Sequence, residues 1–303
     1  MRIGIDLGGT KIEGIVLGPG SVVSARKRIP TPREDYTATV AAIVDLVCAL
    51  EHRVGHSALP VGIGTPGTQV PPSGAIKNAN STWLNGRTLG QDVERALGRP
   101  VRLANDADCL VLSEALDGVA ADARLVFGVI LGTGVGGGIV ANRALLSGPN
   151  GITGEWGHNP LPWPSSAEMA NGPDCWCGLQ GCIESWLSGP GLAADFARSG
   201  GGHFSAVEVA RLARRGDALA EAALSRYENR LARALAAVIN LIDPEVIVLA
   251  GGISAIERLY STVPRLWDAY VFSSTINTRL VPARHGDASG VRGAAWLWPE
   301  RSA

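Results

Sequence analysis

The chain has 303 residues, 46% hydrophobic and 18% charged, which is enough apolar material for two cores and too regular a balance for a disordered or coiled polypeptide. A formal net charge of −1 leaves no general attraction to nucleic acid or to an acidic membrane surface. The opening residues lack an apolar leader core and no apolar run reaches membrane-spanning length, so a cytoplasmic protein with no membrane partner is expected.

In chain order, apolar periodicity predicts strands over 2–7, 12–17 and 22–28, a helix over about 35–53 and a strand over 61–64. A helix over 89–97, a buried strand over 101–104 and a helix over 107–116 complete a first lobe, with the boundary near Gly118. The second lobe opens with a strand over 125–131, a glycine turn and a strand through Gly137 to Val140. This repeats the start of the chain. Ile5-Asp6-Leu7-Gly8-Gly9-Thr10 and Val129-Ile130-Leu131-Gly132-Thr133-Gly134 each end an apolar strand in glycines and a threonine before a second strand. A helix-rich stretch over 206–242, a buried strand over 246–249, the turn Ala250-Gly251-Gly252 and a last helix over 290–298 follow.

Three of the five cysteines, Cys175, Cys177 and Cys182, fall within eight residues around a glycine-bearing turn, downstream of Glu155-Trp156-Gly157-His158. With His158 they make a Cys₃His set, the closed tetrahedral donor set of a structural zinc site. The competing readings are a disulfide or buried apolar thiols. A bridge between Cys175 and Cys177 would be strained, and three cysteines leave one over. Cys48 and Cys109 fall in apolar helical surroundings and suit a reducing compartment.

Glycines after a strand expose backbone N–H groups to a phosphate, and threonine adds a hydroxyl. One such turn is more often a hairpin, but two in equivalent positions plus Gly251-Gly252 favour a nucleotide. No Walker or dinucleotide fingerprint occurs at these turns, because strands follow two of them. Asp6 offers an oxygen ligand for Mg²⁺ or a turn cap, and Lys11 a phosphate contact or a solvated strand residue. Asn105-Asp106-Ala107-Asp108 sits where a strand passes into a helix, the favoured place for a catalytic group in an α/β sheet and also for an N-cap. Asp106 is the expected general base, with Asp108 facing helix N–H groups or solvent. The loop Lys77-Asn78-Ala79-Asn80-Ser81-Thr82-Trp83 and the turn Gly64-Thr65-Pro66-Gly67 suit a polyhydroxylated ligand or ordinary turns.

Through Asp6-Leu7-Gly8-Gly9-Thr10-Lys11, Gly64 to Gly67, Asn105-Asp106-Ala107, Leu131 to Gly134, Glu155 to His158 and the cysteine knuckle ending at Glu184, the chain resembles the repressor, open reading frame and kinase (ROK) family of sugar kinases. The runs at Lys77 to Gly86 and Ser289 to Trp298 look most like bacterial fructokinases, which often also accept mannose. The resemblance implies a two-lobed, actin-like α/β fold of duplicated ribonuclease H-like halves: 1–117 with 290–303 packing back on it, and 118–289 with the zinc-binding loop. ATP would lie between the lobes. It further implies Asp106 as the base, Asn80, Asn105, Glu155, His158 and Glu184 on sugar hydroxyls, and Gly9, Thr10, Lys11, Thr133 and Gly134 around the phosphates. Gly251 and Gly252 would lie near the adenosine, and a homodimer is expected. The implied reaction is ATP plus D-fructose giving fructose 6-phosphate, with Mg²⁺ on the nucleotide and zinc as a structural brace. The alternatives are a glucokinase or N-acetylglucosamine kinase of the same family, or a sugar-sensing regulator without a DNA-binding domain.

Overall fold

The computed structural model describes residues 1–299. Strands β1 (Arg2–Leu7), β2 (Lys11–Leu17) and β3 (Val23–Pro30) lead to helix α1 (Tyr36–Val54) and strand β4 (Val61–Thr65). The short hairpin β5 (Thr68–Val70) and β6 (Ala75–Lys77), helix α2 (Leu89–Leu97), strand β7 (Val101–Asn105) and helix α3 (Asp106–Leu116) follow. Next come β8 (Leu125–Leu131), β9 (Val135–Ala141), β10 (Ala144–Leu145) and helices α4 (Ser166–Ala170), α5 (Ile183–Leu187), α6 (Gly189–Arg198), α7 (Ala206–Arg214) and α8 (Ala218–Ile242). The chain ends through β11 (Val246–Ala250), α9 (Leu259–Arg265), β12 (Arg279–Pro282) and α10 (Ser289–Trp296).

Two five-stranded sheets share one strand order, β3-β2-β1-β4-β7 and β10-β9-β8-β11-β12. In the first, β1 pairs antiparallel with β2 and β2 with β3, while β4 and β7 continue parallel to β1. In the second, β11 and β12 continue parallel to β8. The duplication visible in the two glycine turns is therefore a duplication of topology.

The chain divides into two compact units. One takes in Met1–Asp122, Gly138–Thr153 and the chain from Arg284 onward; the other takes in Ala123–Gly137 and Gly154–Ala283. Residues 138–153, expected in the second lobe, group with the first because β9 packs on α3 at backbone distance: a Cβ on Gly138 would stand 2.9 Å from the Ala107 carbonyl. Of the tail expected to return to the first lobe, residues 300–303 lie outside the described residues.

Helix α10 is the centre of the first unit. Cβ atoms on Gly4 of β1 and Gly62 of β4 would lie 2.0 Å from the Val291 carbonyl oxygen and 1.8 Å from that of Ala294, so the helix rests directly on strand backbone. Such close approach gives the central strands β1 and β4 little freedom to shift against α10.

Some sequence expectations change. Strand β7 is the sheet edge and is only partly covered, with Arg102 exposed and its guanidinium 4.1 Å from the Trp298 ring centroid. Cys48 is exposed on α1, whereas Cys109 is buried on α3. The stretch 206–242 breaks into α7 and α8 at Gly216, whose φ is 87°, and Asp217, which caps α8. Strand β12 and helices α4 to α6 carry no clear periodic signal because each is short or flanked by polar loop. Among the described residues, no helix is long and apolar enough to cross a membrane.

Candidate active site

In the first unit the register sets Asp6 beside Gly64, and Thr65 beside Asn105, so the carboxyl ends of β1, β4 and β7 form one edge. Asn105 caps α3, its side chain accepting from the Asp108 N–H at 2.6 Å. That cap leaves Asp106 as the exposed first residue of the helix, its Oδ1 accepting from the Ala107 N–H at 2.8 Å. Burial, then the charges of Asp106 and Glu13, raise the Asp6 carboxyl to about 6 against the opposing pull of Lys11 and Arg28. Arg26 and Arg28 grip Glu13. Asp6 is thus a buried carboxyl with a second carboxylate, Asp106, near it, and a cation would stabilise its ionised form. Gly290, at the start of α10, faces Asp6: a Cβ there would lie 3.4 Å from the carboxylate.

The turn Gly8-Gly9-Thr10 is tied through its carbonyls. Thr31 Oγ1 donates to the Gly8 oxygen at 2.7 Å, Arg33 Nε to that of Gly9 at 3.1 Å, and the Thr31 N–H to that of Thr10 at 3.1 Å. With its acceptors engaged, the turn has N–H groups and the Thr10 hydroxyl to offer a ligand, as an anion requires. Exposed Lys11 begins β2 beside it. Neither Thr31 nor Arg33 stands out in the sequence, since each is over twenty residues from the group it holds. Asn80 is exposed in the neighbouring loop, whose Ser81 hydroxyl would lie 3.4 Å from a Cβ on Gly9. Asn85 holds this loop by exchanging two hydrogen bonds with Ala79, at 2.9 and 3.0 Å.

In the second unit the donor atoms of His158, Cys175, Cys177 and Cys182 lie within 4.8 Å of one another. Cys175 Sγ stands 3.6 Å from His158 Nδ1, and Cys177 Sγ 3.7 Å from Cys182 Sγ. Two thiolates about 2.3 Å from one tetrahedral ion stand about 3.8 Å apart, so the set fits zinc, and it does not fit a disulfide. The Leu179 amide lowers the Cys177 thiol to about 7, while burial pushes Cys182 up to about 12. Gly178 and Gly181, with φ of 90° and 68°, close the turn.

The loop between His158 and Cys175 has a second anchor. Glu168 on α4 accepts from Arg230 at 2.7 Å and Arg233 at 2.8 Å, both on α8, and Arg233 also reaches the Trp163 carbonyl at 2.6 Å. Burial acts to raise the Glu168 carboxyl, but the hydrogen bonds from Arg233 and Arg230 override it and hold it down to about 2. Beside Glu155, buried Trp156 packs edge-on against Phe127 and donates to the Gly136 carbonyl at 3.1 Å.

Glu184 joins this knuckle to the second glycine turn: its Oε2 accepts from the Val135 N–H at 2.9 Å, and a Cβ on Gly134 would lie 2.6 Å from that oxygen. Thr133 is exposed at the tip of the turn. Gly251, with φ of 83°, turns the chain after β11 against β8; a Cβ there would lie 2.4 Å from the Leu131 carbonyl. Exposed Gly252 follows it. The first unit therefore gathers Asp6, Gly9, Thr10, Lys11, Asn80, Asn105 and Asp106, and the second gathers Thr133, Gly134, Glu155, His158, Glu184 and the three cysteines, with Gly251 and Gly252 beside the turn.

Comparison with known proteins bears on the fold and the family. The model of the ROK family matches residues 2–301. The chain is 39% identical over 300 residues to an N-acetyl-D-glucosamine kinase of Photobacterium profundum, covering 98% of this chain and 99% of that protein. It is 40% identical over 302 residues to one of Pectobacterium atrosepticum, covering 98% of each. Among solved structures, the ROK hexokinase from Thermus thermophilus superposes with a TM-score of 0.87 at 30% identity, over 97% of this chain and 96% of that one. A ROK family glucokinase from Streptomyces griseus, in complex with glucose and AMPPNP, gives 0.77 at 26% identity over 98% of each.

Proposed function

The chain belongs to the ROK family, and on that premise we propose that it is an ATP-dependent kinase of N-acetyl-D-glucosamine, transferring the γ-phosphoryl group to the 6-hydroxyl. The sequence by itself ranks fructose first. The two curated relatives above act on N-acetyl-D-glucosamine by name, and this moves the acetamido sugar ahead of fructose. Glucose is the second reading, favoured by the glucose-bound Streptomyces griseus structure.

The observation that carries the kinase reading is the exposed Asp106 carboxylate at the head of α3, on the same sheet edge as Asp6. Phosphoryl transfer passes through a loose transition state, so positioning and charge stabilisation outweigh base strength. In our reading Asp106 orients the sugar hydroxyl and accepts its proton late. Gly9, Thr10 and Lys11, and Thr133 and Gly134, each offer N–H, hydroxyl or ammonium groups to phosphate oxygens, with Gly251 and Gly252 near the adenosine. Asn80, Asn105, Glu155, His158 and Glu184 are the proposed sugar contacts. The buried Asp6 carboxyl, with Asp106 near it, suits Mg²⁺, which when bound neutralises phosphate charge. Cys175, Cys177, Cys182 and His158 Nδ1 would hold zinc as a brace, which fixes the His158 tautomer.

The test is ADP release, measured by a coupled assay, over N-acetyl-D-glucosamine, D-glucose, D-mannose and D-fructose. The highest kcat/KM is expected on N-acetyl-D-glucosamine. A preference for fructose would restore the sequence expectation, and no turnover on any hexose would remove the kinase reading.

A further inference from the structure

Trp176 stands between two of the clustered cysteines, and nothing in the metal set needs it. Its indole is 64% exposed, unusual for so large an apolar group unless it serves a surface. Two interactions fix it. The Nε1–H donates to Glu184 Oε1, and the ring meets His158 edge-on with centroids 4.9 Å apart. Glu184 is thereby held by both oxygens: Oε1 by the indole of the knuckle, Oε2 by the Val135 N–H that follows the second glycine turn. A carboxylate pinned at two points cannot rotate about its terminal torsion without losing a charge-assisted hydrogen bond.

We propose that Trp176 is a positioning residue for sugar binding: its N–H sets the plane of the Glu184 carboxylate, so that the metal knuckle fixes a substrate ligand as well as its own loop. The inference rests on the reading of Glu184 as a sugar contact. Cys175 and Cys177 flank Trp176, and Cys182 lies two residues before Glu184, so both ends of the indole–carboxylate bond are carried by the metal-binding segment. The Val135 bond by itself leaves the second oxygen free to swing.

Trp176→Phe keeps an aromatic ring against His158 and removes only the donor. The full-length variant is compared with the parent and with Glu184→Gln for zinc per chain, melting temperature, and KM for sugar and for ATP. Trp176→Phe is expected to raise the sugar KM on the order of tenfold, the loss of one hydrogen bond to a charged group, while zinc content, melting temperature and ATP KM stay near the parent's. An unchanged sugar KM in Trp176→Phe, with a raised one in Glu184→Gln, overturns the proposal and leaves the sugar role of Glu184 standing. An unchanged sugar KM in Glu184→Gln overturns that role itself. Zinc lost in proportion to sugar affinity overturns the proposal too, since Trp176 would then act only on the fold of the knuckle.

Discussion

Gly293 of α10 and Cys109 of α3 touch through their backbones: a Cβ on Gly293 would lie 1.6 Å from the Cys109 carbonyl oxygen. No rotamer relieves such an overlap, because a Cβ has no torsion of its own. Asp106 heads α3 and Asp6 lies on β1, which α10 meets at Gly4, so α10 is the common support that relates the elements carrying the two carboxylates.

Gly293→Ala is accordingly expected to cost about 3 kcal/mol or more, the upper range for overpacking. Thermal unfolding of the purified variant measures it. A melting temperature within two or three degrees of the parent's, on the order of what a sub-kcal/mol change gives, would show that the helices separate freely.

The Asp6 carboxyl is raised from its ordinary 3.8 to about 6, with burial the leading cause. A raised folded-state pKa means that the stability this group contributes is complete below about pH 4 and is lost as the pH climbs through 6. Asp6→Asn removes the ionisation. Without nucleotide or divalent cation, the variant's unfolding free energy from denaturant titration should exceed the parent's at pH 7.5 by about 3 kcal/mol at most, with the advantage closing by pH 4. A difference constant over that range would refute the buried-charge account.

Asp106→Asn keeps the Oδ1 that accepts from the Ala107 N–H and abolishes the base. Turnover should fall by on the order of 10²–10⁴ while melting temperature and zinc content hold. Retained turnover in steady-state assays would move the proton acceptor elsewhere.

Cys177→Ser should lower zinc, by elemental analysis, well below one ion per chain and reduce the melting temperature, since metal binding and loop folding are coupled. Cys48→Ser, which alters an exposed thiol outside the cluster, should change neither. Equal metal content in both would discount the Cys₃His set.

Much of the fold was legible because it depends on local pattern. The apolar character that marks β1 and β8, the glycine and threonine closing each, and the strand-to-helix passage at Asn105 are short-range signals. The sequence reads β7 as buried because an edge strand and a central one look alike in apolar content; strand order alone separates them. Asn105 carries two expectations at once, cap and sugar contact. Only the 2.6 Å bond to the Asp108 amide reveals that its Oδ1 serves the cap.

The sequence by itself determined the duplicated strand-turn-strand units, the spacing of three cysteines that lets a short turn bring their thiolates together, and Asp106 at a helix start. Each is a property of neighbours along the chain, where bond geometry limits what a few residues can do. Tertiary structure alone decided that Thr31 and Arg33 engage the carbonyls of the first turn, that Trp176 and Val135 share Glu184 between them, and that α10 rests on Gly4, Gly62 and the α3 backbone. Thr31, Arg33, Val135 and α10 meet their partners across tens to hundreds of residues of chain. Trp176 is only eight residues from Glu184, but whether its indole reaches that carboxylate depends on how the knuckle folds. Packing sets these pairings through distances of a few tenths of an ångström, to which a one-dimensional pattern is blind.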